Sequence, residues 1–371
     1  MDRIRAARRR MLTATLALVV AAGAPTPAPS GADELAPREA PVSPGARPAD
    51  EPALPPVTPS LAQPDAPIQL AFVGDVMFGR YVGGRLQPIP ASPRLLTGAR
   101  GALTAADLAI ANLETPIVEA PPRRGPRERR RFVGRAAHVA LLAAAGIDAV
   151  SLANNHADDM DDAGAAATVA ILARHGVTAL GAAVATPPAV RVETLAASGW
   201  RLAIVAVTTV RNRSQRAGAL ELPYLAPADL ATVAAPVIAR ARQDHHRVIV
   251  LVHWGAEGRH HPAPWQRQAA HALVDAGADL VIGSHPHVLQ PIERYRDGVI
   301  AYSLGNFVFD NRAPRQSRTA VLTIGLTPGE PCAAVGVTPM ALGPGYRPRP
   351  AGRADARLVR AALGTVAPCA R

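Results

Sequence analysis

Short, unbroken apolar runs recur along the chain, and most stop at a polar residue. Leu70-Ala71-Phe72-Val73, Leu108-Ala109-Ile110-Ala111, Leu202 to Val207 and Val248 to Val252 are the clearest. Runs of this length without alternation predict strands buried on both faces, as in a sheet covered by helices. Three stretches repeat an apolar helix, a Gly and a short strand. His138 to Ala145 precedes Gly146 and Ile147 to Val150; Ala165 to His175 precedes Gly176 and Val177 to Leu180; Trp265 to Ala276 precedes Gly277 and Ala278 to Ile282. Gly just past a helix turns left-handed without steric penalty and sends the chain into the next element. In the second helix, Ala165, Val169 and Leu172 fall on one face at helical spacing. Gln290 to Arg296, Val299 to Ser303 and Thr319 to Leu326 predict strands with no helix between them. The pattern as a whole predicts an α/β sandwich of mixed sheets with helices outside.

The residues that end the apolar runs carry the candidate chemistry. They are Gly74-Asp75, Asn112-Leu113-Glu114, Asn154-Asn155-His156, His253-Trp254-Gly255 and Gly283-Ser284-His285-Pro286-His287. Polar side chains at the carboxyl ends of strands are where α/β folds gather ligands and metals. Asp75 is a metal ligand or the cap of the next turn. Glu114 follows so apolar a run that its charge needs a cation or a metal beside it. An Asn oxygen can ligate a metal while the adjacent His donates a proton to a leaving group. A nearby carboxylate, for which Asp159 is the candidate, would orient His156. Asp161 or Asp162 is placed to cap the following helix. His285 and His287 point the same way if their segment is extended. His138, His175, His245, His246, His260, His261 and His271 are read as ordinary packing or surface residues. Imidazole, carboxylate and amide donors without thiolate favour Mn, Fe or Zn over an iron–sulfur cluster. Such an ion can lower the pKa of bound water from about 15.7 to about 7 and so support hydrolysis.

Length and composition narrow the class. The chain has 371 residues, 49% hydrophobic but only 4% aromatic, so Ala, Val and Leu must build the core. Its net charge is +11 and every basic side chain is Arg. Five Arg within residues 3–10 precede the uncharged run Met11 to Ala22 and the small residues Ala22-Gly23-Ala24. That order predicts a secretory signal over residues 1–24, engaging the secretion machinery and placing the rest outside the cytoplasm. An uncleaved anchor is the alternative. Residues 25–67 hold 13 of the 37 prolines and read as an extended spacer, 68–345 as the folded domain and 346–371 as a tail. Cys332 and Cys369 could pair in an oxidising compartment. Export and scarce aromatics argue against a nucleic-acid partner. The dinucleotide fingerprint, the phosphate loop and the Gly-x-Ser-x-Gly nucleophile elbow are absent from the sequence. The arginine-rich stretch Arg123 to Arg135 is a solvated loop or an anionic-ligand site.

Six motifs in register carry a resemblance. Gly74 to Arg80, Ala111 to Glu114, Ala153 to His156, His253 to Glu257, Gly283 to Gln290 and Ser303-Leu304-Gly305-Asn306-Phe307 resemble the bacterial capsule-synthesis CapA family. That family is associated with poly-γ-glutamate capsules and belongs to the calcineurin-like metallophosphoesterase superfamily. The resemblance implies a four-layer α/β/β/α sandwich with one or two divalent metal ions at loop ends. By position it implies Asp75, Glu114, Asn155, His253, His285 and His287 as metal ligands, with His156 as proton donor. Arg80, Asn112, Asn154 and Asn306, which stand within these motifs, are the candidate substrate-binding residues. Met77 stands where the phosphoesterase pattern has a histidine two residues after the first aspartate, so one metal pocket is short of a ligand. The expected function is an exported, hydrolase-like protein acting on an anionic polymer or phosphoester. The alternative is a non-catalytic assembly factor that binds a metal or a polyanion and supports a membrane capsule synthase or export complex.

Overall fold

Apolar residues alternating along each central strand decide which side of the sheet meets what. In the computed structural model, residues 61–125, 131–183, 185, 190–212, 220–310 and 313–369 are described. The expected signal, the spacer up to residue 60 and residues 126–130 of the arginine-rich stretch lie outside the described residues. The first sheet has the order β18 (Pro348–Pro350), β17 (Ala334–Leu342), β16 (Arg318–Leu326), β1 (Ile68–Val76), β4 (Leu108–Leu113), β7 (Ala149–Ser151), β8 (Thr178–Leu180). Strand β15 (Asn306–Val308) joins the end of β1. The second sheet has the order β13 (Ile292–Tyr295), β14 (Gly298–Ala301), β12 (Leu280–Ser284), β11 (Arg247–His253), β10 (Trp200–Thr208), β9 (Val192–Ala197). Two small ribbons pair β2 (Gly79–Val82) with β3 (Arg85–Pro88), and β5 (Ile117–Val118) with β6 (Gly134–Arg135).

The helices are α1 (Thr97–Ala105), α2 (Ala136–Ala145), α3 (Asp161–Arg174), α4 (Leu230–Asp244), α5 (Pro264–Asp275) and α6 (Arg353–Leu363). Leu70, Phe72, Leu108 and Ile110 point from the first sheet into one core with Ile204, Ile249, Leu251 and Leu280 of the second. The intervening residues Ala71, Val73, Ala109 and Ala111 point the other way, onto α1, α2 and α3. Val205, Val207, Val250 and Val252 likewise meet α4 and α5 on the outer face of the second sheet. Burial of each such Val or Leu contributes about 1.5–3 kcal/mol. The result is the expected four-layer α/β/β/α sandwich. Among the described residues no helix is long and apolar enough to cross a membrane.

Two expectations change. Helix α3 buries Gly164, Thr168, Ile171 and Leu172, while Val169 is 37% exposed. Hydrogen bonding sets this face. Thr168 Oγ1 accepts from Ile117 N at 2.8 Å and donates to Gly164 O at 2.7 Å, which draws that side inward. The helix also has no side-chain cap: Asp161 and Asp162 lie in its first turn, where carboxylates suit the helix dipole. The expected tail over 346–371 is, in its described part up to residue 369, built into the domain. Strand β18 pairs with β17, and α6 sinks Val359 and Leu363 into the core between the sheets. Cys332 and Cys369 are joined by a disulfide that fastens the end of the chain.

This closure has a measurable consequence. The bond closes a loop with a sequence separation of 37, which restricts the unfolded chain. Replacing both cysteines by serine should lower stability by about 2–4 kcal/mol. Denaturant unfolding of the oxidised protein, the reduced protein and the double variant checks this; equal midpoints would contradict it.

Candidate metal centre

Each sheet supplies parallel strands whose carboxyl ends meet at one place. Strand β1 delivers Asp75, and the preceding Gly74 lies so close to β15 that an added Cβ would stand 1.8 Å from Gly305 O. Past the end of β4, Glu114 N donates to Val76 O at 2.9 Å, which fixes the glutamate beside Asp75. Strand β7 leads into the turn Asn154-Asn155-His156. Strand β11 ends at His253, and β12 ends at Ser284 just before His285. Gly283 permits a second close approach, since a Cβ there would meet Tyr302 O at 2.1 Å.

These side chains form two buried donor groups, Glu114–His253–His285 and Asp75–Glu114–His287, each with its donor atoms within 4.8 Å of one another. Glu114 belongs to both. Its Oε1 lies 3.2 Å from His253 Nε2, and its Oε2 lies 3.8 Å from His287 Nε2. Asn155 Oδ1 is 2.8 Å from His253 Nε2 and adds an amide donor to the first group. Asp75 Oδ2 is 3.0 Å from His287 Nδ1, and Asp75 Oδ1 accepts from Asn112 Nδ2 at 2.9 Å. The His285–Pro286–His287 segment is not extended. His285 has φ 95° and His287 φ 57°, sparsely populated conformations for residues with a Cβ. The two rings therefore serve different groups and straddle Glu114, where the sequence had suggested one shared direction. The seven histidines read as ordinary fall outside both groups.

Charge explains the arrangement. Burial drives Glu114 well above the usual carboxylate range, and Asp75 pushes the same way; His287 and Asn112 oppose them. Burial disfavours the charged form of His287, but Glu114 and Asp75 outweigh it and hold it up to about 9. His253 falls well below its ordinary value through burial and the neighbouring imidazoles. His285 falls to about 4, again through burial first and His287 second. The site thus pairs two imidazoles that resist protonation, and so keep lone pairs for a metal, with one held protonated beside Glu114 and Asp75. Ser284 Oγ lies 2.9 Å from His253 Nδ1 and 3.5 Å from Val252 O. With Ser284 on the Nδ1 side, Nε2 is the atom that faces Glu114 Oε1 and Asn155 Oδ1, where a ligand atom is needed. Two buried atoms of the first group, Glu114 Oε2 and His285 Nδ1, have no hydrogen-bond partner. Orphaned donors of this kind, on carboxylate and imidazole, fit a divalent cation.

Beside the donor groups, His156 Nδ1 is 2.7 Å from Asp159 Oδ2, which also accepts from Phe132 N at 2.6 Å. The Phe132 ring stacks on His156 with centroids 3.7 Å apart. Met77 is fully buried with Phe132 and Phe309 in a small apolar cluster. Of the residues expected to contact substrate, Arg80 lies at this edge, ion-paired with Asp310 and 5.0 Å above the Phe132 ring. The other three are inward-facing supports. Asn112 Nδ2 lies within hydrogen-bonding reach of Asp75, Glu114 and His253. Asn154 donates to Leu113 O at 2.9 Å and to Asn112 Oδ1 at 3.3 Å. Asn306 Oδ1 meets His287 Nδ1 at 2.9 Å, and its amide donates to Gln316 O. Asn154 and Asn306 are fully buried and brace the donor groups from inside. Sequence reasoning left Ser284, Phe132, Phe309 and Asn212 unassigned. Ser284 stands inside the quoted histidine motif. Asn212, which accepts from Asn155 Nδ2 at 2.9 Å, has no local signal at all.

Residues 69–311 match the family described as bacterial capsule synthesis protein PGA_cap. The PGA biosynthesis protein CapA of Bacillus subtilis is 31% identical over 259 residues, which cover 70% of this chain and 67% of that protein. The capsule biosynthesis protein CapA of Bacillus anthracis is 27% identical over 72% of this chain and 66% of its own length. A probable polyglutamine synthesis accessory protein of Mycobacterium tuberculosis is 33% identical over 64% of this chain and 65% of its own. The matched part thus spans about two thirds of each relative. On the strength of that match across most of the sandwich, this chain belongs to the bacterial capsule synthesis protein PGA_cap family.

Proposed function

We propose that this protein is a metal-dependent, hydrolase-like member of its family, working outside the cytoplasm on capsule or cell-envelope polymer. The observation that carries the reading is Glu114, shared by two buried donor groups, with the His156–Asp159 pair alongside. Glu114, Asn155, His253 and His285 would hold one divalent ion, Mn, Fe or Zn. Asp75, Glu114 and His287 would hold a second only after His287 gives up its proton. A bound ion supplies Lewis acidity and lowers the pKa of water toward neutrality. The chain's own residues do the rest. Asp159 holds Nδ1 of His156, leaving Nε2 to pass a proton to the departing oxygen or nitrogen of a phosphoester or γ-glutamyl amide. Phe132 keeps that imidazole flat against its ring and, through its backbone N–H, keeps Asp159 in place. Export is supported by the arginine-then-apolar amino terminus and by the Cys332–Cys369 disulfide.

One observation favours a second reading, a non-catalytic assembly factor for a membrane capsule synthase. Met77 fills with a thioether the position where the phosphoesterase pattern has a histidine, and packs it among Phe132 and Phe309. A centre with one strong pocket can bind a metal without turning over substrate.

Two experiments separate these readings. Elemental analysis of the purified protein should find at least one tightly bound divalent metal, and Glu114→Gln or His285→Ala should release it. A protein that binds no Mn, Fe or Zn would end the hydrolytic reading and leave only a metal-free assembly role. On a panel of phosphodiesters and γ-linked glutamate polymer, His156→Ala should cut turnover about 100- to 10,000-fold with metal content intact. No turnover by the metal-loaded wild type on either class would favour the assembly role.

A further inference from the structure

We propose that one face of the β2–β3 ribbon and its two flanking segments is a track on which a polycarboxylate chain lies as it enters the metal centre. The proposal rests on the reading above only in taking an anionic polymer as partner. Its argument comes from strand register. Cross-strand neighbours share a face of a ribbon, as do alternate residues along a strand. Arg80 stands opposite Gln87, and Val82 opposite Arg85. Isolated bridges extend the ribbon on both sides, pairing Arg80 with Phe132 and Arg85 with Arg124. Arg80, Val82, Arg85, Gln87, Arg124 and Phe132 therefore all lie on one face. The opposite face carries Tyr81, which is buried and donates its hydroxyl to Pro122 O at 2.8 Å. That bond clamps the segment bearing Arg124 to the ribbon.

The inner end of this face is the candidate centre. Phe132 stacks on His156, and the Arg80 guanidinium sits 5.0 Å over Phe132 and 5.5 Å over Phe309. The Phe309 ring lies 4.5 Å from His287. From there the face leads outward to Arg85 and Arg124, both exposed, and neither makes an ion pair with a described carboxylate. Two residues along a strand and two strand spacings across put Arg80 and Arg124 about 12 Å apart. Arg80 is matched by Asp310 at the inner end, so among the described residues Arg85 and Arg124 are the free charges of the row, and they meet successive charged repeats of one extended chain. Val82, 42% exposed between the arginines, offers an apolar contact for methylenes that separate the charges. The face has no exposed aromatic on which a base could stack, so nucleic acid suits it poorly.

The test uses the full-length, metal-loaded protein and a labelled, short poly-γ-glutamate followed by fluorescence anisotropy. The double variant Arg85→Gln/Arg124→Gln should bind about tenfold more weakly at low salt, the sum of two exposed charge pairs, with a flatter salt dependence. The double variant Arg357→Gln/Arg360→Gln on α6 makes the same change in net charge and should keep the wild-type affinity. Equal losses from both pairs, or none from the ribbon pair, would overturn the track. Tighter, track-dependent binding of inorganic polyphosphate than of polyglutamate would overturn the polycarboxylate assignment. Melting curves and metal content establish that both variants are folded and loaded. Because the readout is binding, a wild type that hydrolyses nothing would sink the enzymatic reading and leave this one standing.

Discussion

Two carboxylates with no access to water, Asp75 and Glu114, are the constraint on which the rest of the molecule turns. A buried, uncompensated charge is among the least favourable groups a fold can carry, so something cationic must sit with them. His287 meets part of that need as an imidazolium, and the orphaned oxygen of Glu114 leaves the remainder to a metal. The amide of Asn112 reaches both acids and His253, and is itself held by Asn154. Those residues come from both sheets. Packing the sandwich and assembling the centre are thus one event, because the acids of the first sheet meet their imidazole partners only when the second sheet closes over them.

Much of this was legible in the sequence, for physical reasons. Strands covered on both faces must be apolar throughout, so Leu202 to Val207 and Val248 to Val252 declared themselves. The polar residue that ended each run marked a carboxyl end, and the topology brought those ends together. Periodicity failed where hydrogen bonds outrank hydrophobicity. Thr168 and Gly164 face inward on α3 because Thr168 bonds to Ile117, and Val169 is left in solvent. The end of the chain misled for a related reason. Pro348 and Pro350 do not look like strand residues, yet an edge position tolerates proline. Helix α6 is rich in arginine and shows its role only through Val359 and Leu363, four apart.

The site was legible as a list and less so as an arrangement. Residue types and order named the donors, but a sequence cannot separate a ligand from the amide that orients it. Asn154 and Asn306 look like exposed loop residues and prove to be internal struts. Phe132 is hidden in a run of arginines that reads as solvated surface, although its ring and backbone both brace the His156–Asp159 pair. Charge density drew attention away from the one apolar residue in the stretch that touches the centre.

The left-handed backbone at His285 and His287 bears on how the ligands can be dissected. A loop holding two strained residues does not keep its shape by local preference. Asp75 restrains it by receiving the His285 amide and the His287 ring, together with Asn306 on the His287 ring and the Gly258 amide on Pro286 O. Asp75 is then a fastener as well as a donor, and its removal would loosen the histidine loop at both histidines. Alanine at that position would therefore report on backbone release and lost coordination together, whereas Glu114, which does not fasten that backbone, separates the two.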